Sequence, residues 1–558
     1  MSTPSTTEPA VAPALRRARL DDVARGVGYE FEGATGAWRA DSLDQVRDVL
    51  AAAESAAVAG SWVVGFVGYE AAQAFDAAFP SLAGPQGLPL ASFTAFERRR
   101  EVPLVSPPEV APLVRDVHRV DGSDLYREGV EQVRAAIARG DVYQANLTDR
   151  VRGTLDGDPF DLYRSMVSTQ GGSFNAYLDL GELVVVSASP ELFLQIDGDI
   201  VTTRPMKGTR RRHGRPAADA EAADALRHSQ KDLAENVMIV DLLRNDLSRV
   251  SSPGGVSVPE LFRVERYETV WQLTSTVAAR LRPEVGLVDV FAATFPCGSI
   301  TGAPKVSAMH LIERLENSPR GVYCGAIGMI PPSTGGRPSS VWSVAIRTAV
   351  VDRSNHHVEF GAGGGITYDS VPADEDDELE SKTAVLRSAR AAFELFETLR
   401  IDEKGVHHLA LHLHRLAGSA RYFGFPCDTD AIARAVMAIA PDARSRRLRI
   451  VLDRLGQFRL EAQPLDEVPA TVALAVALDR VRSDDPFLCH KTTRRDVYDA
   501  ARAAHPDADD VLLVNERDEV VETTVANLLY RRAGRWFTPP LTSGGLPGIG
   551  REALLSYG

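Results

Sequence analysis

A chain of 558 residues that is 44% hydrophobic and 25% charged holds enough apolar material for several cores, roughly three to five folding units at ordinary domain size. Its net charge of −14 argues against nonspecific nucleic-acid binding, which needs a broad basic surface, so an anionic ligand must meet a local basic pocket. Four cysteines, at 297, 324, 427 and 489, form no C-x-x-C pair, which signals neither a disulfide framework nor a structural zinc site and fits a reducing cytoplasm.

In chain order, residues 1–15 read as a disordered tail with no apolar run long enough for a signal peptide, and no later run approaches a membrane span. From about 45 to 120 helical and strand patterns alternate, and "WVVGFVGYEAAQAFD" reads as a buried strand, a glycine turn and a helix. "SPPEVAPL", 106–113, is a linker that closes a first region, 16–113, and opens a second, 114–390. There an acidic helix start leads into an apolar stripe of Leu125, Val130, Val133 and Ile137, stopped by Gly140. A strand-rich stretch follows, including "LVVVSASPELFLQI". Segment 229–250 pairs Met238 with Leu242 and Ile239 with Leu243, which predicts an amphipathic helix with Glu235 one turn before Ile239. Past Arg390 a strand, a short turn and a helix begin a separate module over 393–558.

Several windows carry chemistry. "TTRPMKGTRRR" sets Lys207 among Arg204, Arg210, Arg211 and Arg212. Neighbouring cations disfavour a protonated ammonium, so this lysine is either a nucleophile with a lowered pKa or part of a solvated basic turn. In "DSVPADEDDELESK" Pro372 and the acids after it suit a helix start, with Glu375 and Glu378 on one face. With Glu235 from another helix they can hold magnesium through carboxylates and water. "FPCGSITGAPK" and "GAGGGITYDS" can offer backbone N–H groups to anions, although glycines serve turns equally well. Cys297 reads as a packed small residue, and His412 with His414 as an alternating segment rather than a metal site.

Taken in order, "GFVGYE", "DVYQANLTDR", "SASPELF", "RPMKGTRRR", "AENVMIVDLLRNDLSRV", "FPCGSITGAPKVSAMHLIERLE", "YCGAIGMI", "VAIRTAV" and "GAGGGITYDSVPADEDDELESK" resemble the chorismate-utilising enzymes, in particular the component I family of aminodeoxychorismate synthases. The resemblance covers roughly 45–390 and implies an α+β fold, a large domain of β-sheets flanked by helices. It implies magnesium on Glu235 and Glu378 with Glu375 nearby, chorismate carboxylates on Arg347 and Tyr323, and a pocket lined by Thr301, Gly363 and Gly365. Lys207 would attack ring carbon 2 as the 4-hydroxyl leaves, and ammonia would then add at carbon 4 and expel the lysine. The alternatives are anthranilate synthase component I and a non-catalytic scaffold; anthranilate synthases typically carry alanine at this position, so Lys207 and the intact glutamates speak against both. Gln272 stands where many relatives have histidine, and glutamine cannot act as a general acid. No cysteine sits in the setting of a glutaminase nucleophile, so ammonia is expected from a separate glutamine amidotransferase subunit or from free ammonia.

Residues 393–558 resemble fold-type IV pyridoxal-phosphate enzymes, particularly aminodeoxychorismate lyases, through "FETLR", "HLHRLAGSARYFGF", "HKTTRRDVYDAA", "VVETTVANLLY" and "TPPLTSGGLPGIGR". The resemblance implies an α/β module in which Lys491 forms the Schiff base and Glu522 pairs with the pyridine nitrogen. Arg415 and the backbone near Ile549 would bind phosphate. Such subunits normally run further past the "LPGIGR" loop, and Gly550 replaces a usual threonine, so the module is expected to be truncated. If complete, it would release pyruvate from aminodeoxychorismate to give 4-aminobenzoate.

Overall fold

The computed structural model describes residues 13–80, 83–110, 112–267, 270–333, 335–387, 393–439, 445–465 and 470–556. Two compact units divide the chain. One takes the chain up to Arg210 and again Leu226–Ala392, and the other takes Arg211–Ala225 together with everything from Phe393. Most of the tail read over 1–15 lies outside the described residues; by Leu15 the chain is already pinned, its side chain buried and its N–H donating to Thr94 Oγ1 at 3.0 Å.

The first unit is built on an 18-strand sheet system flanked by helices. The sheet joins the regions on either side of the linker expected at 106–113: Arg17–Asp22 pairs antiparallel with Phe174–Asp179. The pairing that matters most for function joins Gln144–Asp156 to His357–Ile366, antiparallel from His357↔Thr154 to Ile366↔Ala145. Two windows over two hundred residues apart in sequence thereby become one surface, with Gly363 opposite Thr148 and Gly365 opposite Asn146. Gly363 is obligatory there, because a Cβ would stand 2.2 Å from the Leu147 carbonyl oxygen.

Helix Gly122–Arg139 ends where expected, at Gly140 with φ +83°. Its buried stripe differs from the predicted one. Leu125 is 54% exposed, while Tyr126 takes the core position beside Val130, Val133 and Ala136. Both residues are apolar enough to pass a pattern test, and the angle of the helix on the sheet decides between them.

Helix Gln230–Ser248 starts at Ser229, whose Oγ accepts from the Asp232 N–H, and buries Asn236, Ile239, Val240, Leu243, Asp246 and Leu247. That 3, 1, 3, 3, 1 spacing is one face of a 3.6-residue period. Burying Ile239, Leu243 and Leu247 is worth about 1.5–3 kcal/mol each. It fixes the helix and leaves Glu235 at the edge of the buried face, partly exposed.

The second unit has a four-strand antiparallel sheet, in the order Gly405–Val406, Leu395–Asp402, Arg446–Leu452, Phe458–Pro464. Helices Leu409–Phe423 and Thr429–Met437 cover one face and share its core of Leu395, Leu399, Leu448 and Ile450. His412 and His414 therefore ride on a helix, not on the alternating segment expected; the turn that precedes it, with His408 at φ +53°, switches the period from 2 to 3.6. A three-strand sheet, Leu474–Val476 parallel to Asp510–Val514 and the latter antiparallel to Val520–Thr523, carries the rest. Among the described residues no helix is long and apolar enough to cross a membrane.

Candidate active site

Lys207 lies on strand Met206–Arg211, which pairs with Val270–Leu281. Its Nζ donates to the Ser299 carbonyl at 3.2 Å and stands 3.0 Å from where a Gly365 Cβ would be. Glu191, Glu235 and Glu378 all feel its charge. The arginine ring does something other than expected. Arg204 faces Glu265 at 3.5 Å, Arg210 faces Asp232 at 3.6 Å, Arg211 pairs with Asp484 at 2.7 Å and Arg212 with Asp219 at 2.8 Å. Each cation is met by its own carboxylate, so the run of charge in the sequence does not focus on the lysine.

The predicted carboxylates approach the same place. Glu375 Oε2 would lie 3.2 Å from a Cβ on Gly364, and Glu378 Oε1 4.0 Å. Burial raises the pKa of Glu235 above the ordinary carboxylate value despite Lys207. Burial also raises Glu375, and the like charge of Glu378 adds to it. Glu378 is lowered, chiefly by Lys382, whose Nζ reaches it at 2.6 Å and also donates to the Gly363 carbonyl at 2.7 Å. Among the described residues no three His, Cys, Asp or Glu side chains are gathered closely enough to hold a metal ion. Glu375 adds its like charge to Glu235, and Glu378 adds its own to Glu375; carboxylates are hard oxygen donors of the kind magnesium takes.

Across from them, Arg347 is held with φ +52°, a left-handed backbone uncommon for a non-glycine residue, and strain of this kind gathers at functional sites. Its guanidinium donates to the Lys382 carbonyl at 3.2 Å, and among the described residues it makes no ion pair. Burial pulls its pKa down. A largely buried cation that touches no carboxylate, with Glu378 acting on it only from further off, has its donors available to an anion. Tyr323 packs its ring against Gly361, under the Arg150 guanidinium at 5.1 Å. Thr301 is fully buried; its hydroxyl donates to Cys297 and its carbonyl accepts from Asn146, the residue opposite Gly365. Gln272 accepts from Thr209 Oγ1 at 3.2 Å, two residues past Lys207.

Two residues of this site were not singled out from sequence. Lys382 is one. The other is Glu191, buried, with Oε1 lacking any hydrogen-bond partner and a pKa pushed up to about 7 by burial, against the pull of Ser299 and Lys207. A glutamate set in the apolar run "SASPELFLQI" was the available signal, since a carboxylate between buried strands needs a reason to be there. Cys297 is buried and its thiol pushed up to about 12, which suits a packed residue and not a nucleophile.

In the second unit, burial and the nearby Arg415 lower the Lys491 pKa to about 8, and its Nζ lies 4.7 Å from the centre of the Phe396 ring. Burial raises Glu522 to about 7; it accepts from Tyr498 Oη and Asn527 Nδ2, each at 2.9 Å. Arg415 is more occupied than a bare phosphate anchor. Nε and Nη2 hold Glu397 at 2.8 and 2.6 Å, and Nη1 donates to the Pro547 carbonyl two residues before Ile549. Glu397 also bonds His412 Nδ1 at 2.7 Å. Ile549 opens helix Ile549–Ser556, and a side chain on the adjoining Gly550 would meet open space.

Comparison with known proteins follows the same division. Residues 10–388 match the family of chorismate binding enzymes, and residues 394–558 match the class IV amino-transferases. The chain is 44% identical over 257 residues to aminodeoxychorismate synthase component 1 of Klebsiella aerogenes, which is 46% of this chain and 56% of that protein. It is 42% identical over 269 residues to anthranilate synthase component 1 of Streptomyces coelicolor, 48% of this chain and 52% of that one. The chain thus spans about half the length of these relatives. Among solved structures, anthranilate synthase component I from Streptococcus pneumoniae superposes with a TM-score of 0.55 at 26% identity, over 69% of this chain and 94% of that one. The chain belongs to the chorismate binding enzymes and carries a class IV amino-transferase domain after its chorismate-binding part.

Proposed function

We propose that the first unit is an aminodeoxychorismate synthase component I, converting chorismate and ammonia to 4-amino-4-deoxychorismate. The observation that carries this reading is the Lys207 amine, set against the glycine strand and in electrostatic reach of Glu191, Glu235 and Glu378. Arg347 and Tyr323 take the carboxylates of chorismate, and Thr301, Gly363 and Gly365 line the ring. Glu235, Glu375 and Glu378, not gathered closely enough to hold a metal ion in this structure, would have to draw together to hold magnesium, which would supply positive charge for the ring carboxylate.

Lys207 Nζ, as the free amine, forms a bond to ring carbon 2 while both ring double bonds shift and the 4-hydroxyl departs. Glu191, whose carboxyl burial pushes up to about 7 so that a large share is protonated near neutral pH, gives its proton to that hydroxyl, which leaves as water, and the carboxylate takes the proton that the lysine nitrogen sheds. Ammonia then bonds carbon 4, both double bonds shift back, and the Lys207–carbon 2 bond breaks, the proton that the added nitrogen sheds balancing the one the departing lysine nitrogen takes. Ammonia comes from a glutamine amidotransferase partner, a reading supported by relatives named as one component of a synthase. The place of action is the cytoplasm.

For the module, Lys491, Glu522, Arg415 and the backbone at Ile549 would hold pyridoxal phosphate, an electron sink for elimination. The donor set fits: an amine with a depressed pKa, a buried carboxylate braced by two donors, and an arginine at a helix start. The module would release pyruvate and yield 4-aminobenzoate.

Incubation of the chain with chorismate, magnesium and an ammonium salt, with products resolved by mass and retention, tests both halves. Aminodeoxychorismate or 4-aminobenzoate is expected. Anthranilate would place the chain with its rival activity, and no turnover in the presence of a functional amidotransferase partner would favour a scaffold.

A further inference from the structure

The second unit contains a piece of chain from the middle of the first. Arg211–Ala225 follows the strand of Lys207 and precedes the helix of Glu235, yet it packs with residues after Phe393. Its contacts are specific. Arg212 is 4% exposed; Nη1 donates to the Tyr422 carbonyl at 2.6 Å, and its guanidinium lies 4.0 Å over the Tyr422 ring. Nε and Nη2 both hold Asp219 Oδ2, at 3.2 and 2.8 Å, while the His213 N–H donates to Asp219 Oδ1. Gly214 passes so close to helix Pro486–Cys489 that a Cβ there would lie 2.9 Å from the Cβ of Cys489 and from the Cα of Pro486. Arg211 adds an exposed pair to Asp484, which contributes little.

The residues beneath this segment lead to the lysine of the module. The Tyr422 ring stacks on His490 at 4.5 Å and 29°. His490 is buried, shares a hydrogen bond with Ser419 Oγ at 2.9 Å, and immediately precedes Lys491. One side chain from the chorismate-binding half of the sequence therefore braces the aromatic pair that includes the residue just before Lys491.

We infer that residues 211–219 are a working part of the C-terminal module, a strap whose Arg212 positions Lys491 by holding the Tyr422–His490 stack beside it. The structural claim stands on contacts alone; its consequence for cofactor binding rests on the reading of Lys491 given above. Arginine suits the task because its planar fork grips Asp219 with two nitrogens while its face lies on Tyr422, and lysine can do only one of these. A module excised from residue 393 onward would lack the strap.

Hydrogen exchange of the full chain, without cofactor, tests the strap directly. The N–H groups of Leu488, Cys489 and His490 are bonded to Asp485 and Pro486 carbonyls and report on local opening. Arg212→Ala is expected to speed exchange over 486–492 at least about tenfold, and Arg212→Lys by an intermediate factor, with helix 230–248 unchanged. Exchange over 486–492 within about twofold of the parent in Arg212→Ala overturns the proposal. Should that variant not fold, Tyr422→Leu keeps the Arg212–Asp219 pair and removes the stack; unchanged exchange there overturns it equally. Titration with pyridoxal phosphate, read by absorbance, then separates the two readings. Uptake by the parent that weakens about tenfold in Arg212→Ala supports positioning, and equal uptake refutes it. If the parent takes up no cofactor, the reading of Lys491 fails and the exchange result alone decides the strap.

Discussion

The two lysines are placed in opposite ways. Lys207 stands among carboxylates, with Glu191, Glu235 and Glu378 in reach and its arginine neighbours each paired elsewhere. Lys491 is buried beside Arg415 and an aromatic ring, and its pKa falls to about 8. A lysine crowded by cations in sequence thus meets anions in space, while Lys491, followed by Arg494 and Arg495, keeps the cations Arg415 and Arg495 in reach. Linear charge patterns describe what a strand carries; the alternation of its side chains decides what each of them faces.

The sharpest way to break this comparison is to remove the first amine. Lys207→Ala should lower aminodeoxychorismate formation at least about a thousandfold, as expected for a lost nucleophile. Retention of the parent rate in a coupled assay would take the covalent step out of the reaction. Glu191→Gln should cost about 10²–10⁴-fold in kcat. In the parent, a carboxyl with a pKa near 7 is protonated below that value, so kcat should fall as pH rises through about 7, and this limb should vanish in the variant. A pH profile that keeps the limb in Glu191→Gln would assign the acid elsewhere.

Arg347→Met should raise KM for chorismate roughly thirtyfold or more, since the substrate carboxylate loses its buried partner. A change confined to kcat would contradict a binding role. On the other side of the comparison, pyridoxal-phosphate uptake should rise with pH through about 8, because only the neutral Lys491 amine reacts. A midpoint at the ordinary lysine value would mean that burial does not act on it. The smallest effect is expected from Arg210→Ala, below about fivefold in kcat, because a half-exposed pair with Asp232 contributes about 1 kcal/mol at most. A hundredfold loss would restore the arginines as tuners of Lys207.

Much of this was legible in the sequence. The helix of Glu235 could be read from i, i+4 pairs. A change of pattern past Arg390 suggested a separate module, and ordered motif matches proposed the site residues. What escaped depends on pairing at a distance. No local rule tells that "GAGGGITY" lies along "YQANLTDR", and without that register Lys382 and Glu191 have no visible business with Lys207. Leu125 and Tyr126 differ by one step around a helix, a difference set by the sheet below them. The partner of Arg415 escaped as well, because Glu397 lies on a strand and Arg415 on the helix that follows it.

The glycine strand has a consequence for how activities diverge in such a pocket. At Gly363 a side chain would strike main chain, at Gly364 it would meet Glu375, and at Gly365 it would meet the Lys207 amine. The floor of the site is therefore written in backbone and cannot be edited without disturbing the groups above it. Variation in what the pocket does to one shared substrate must enter through the walls, at positions such as Lys207 and Gln272, while the floor stays blank.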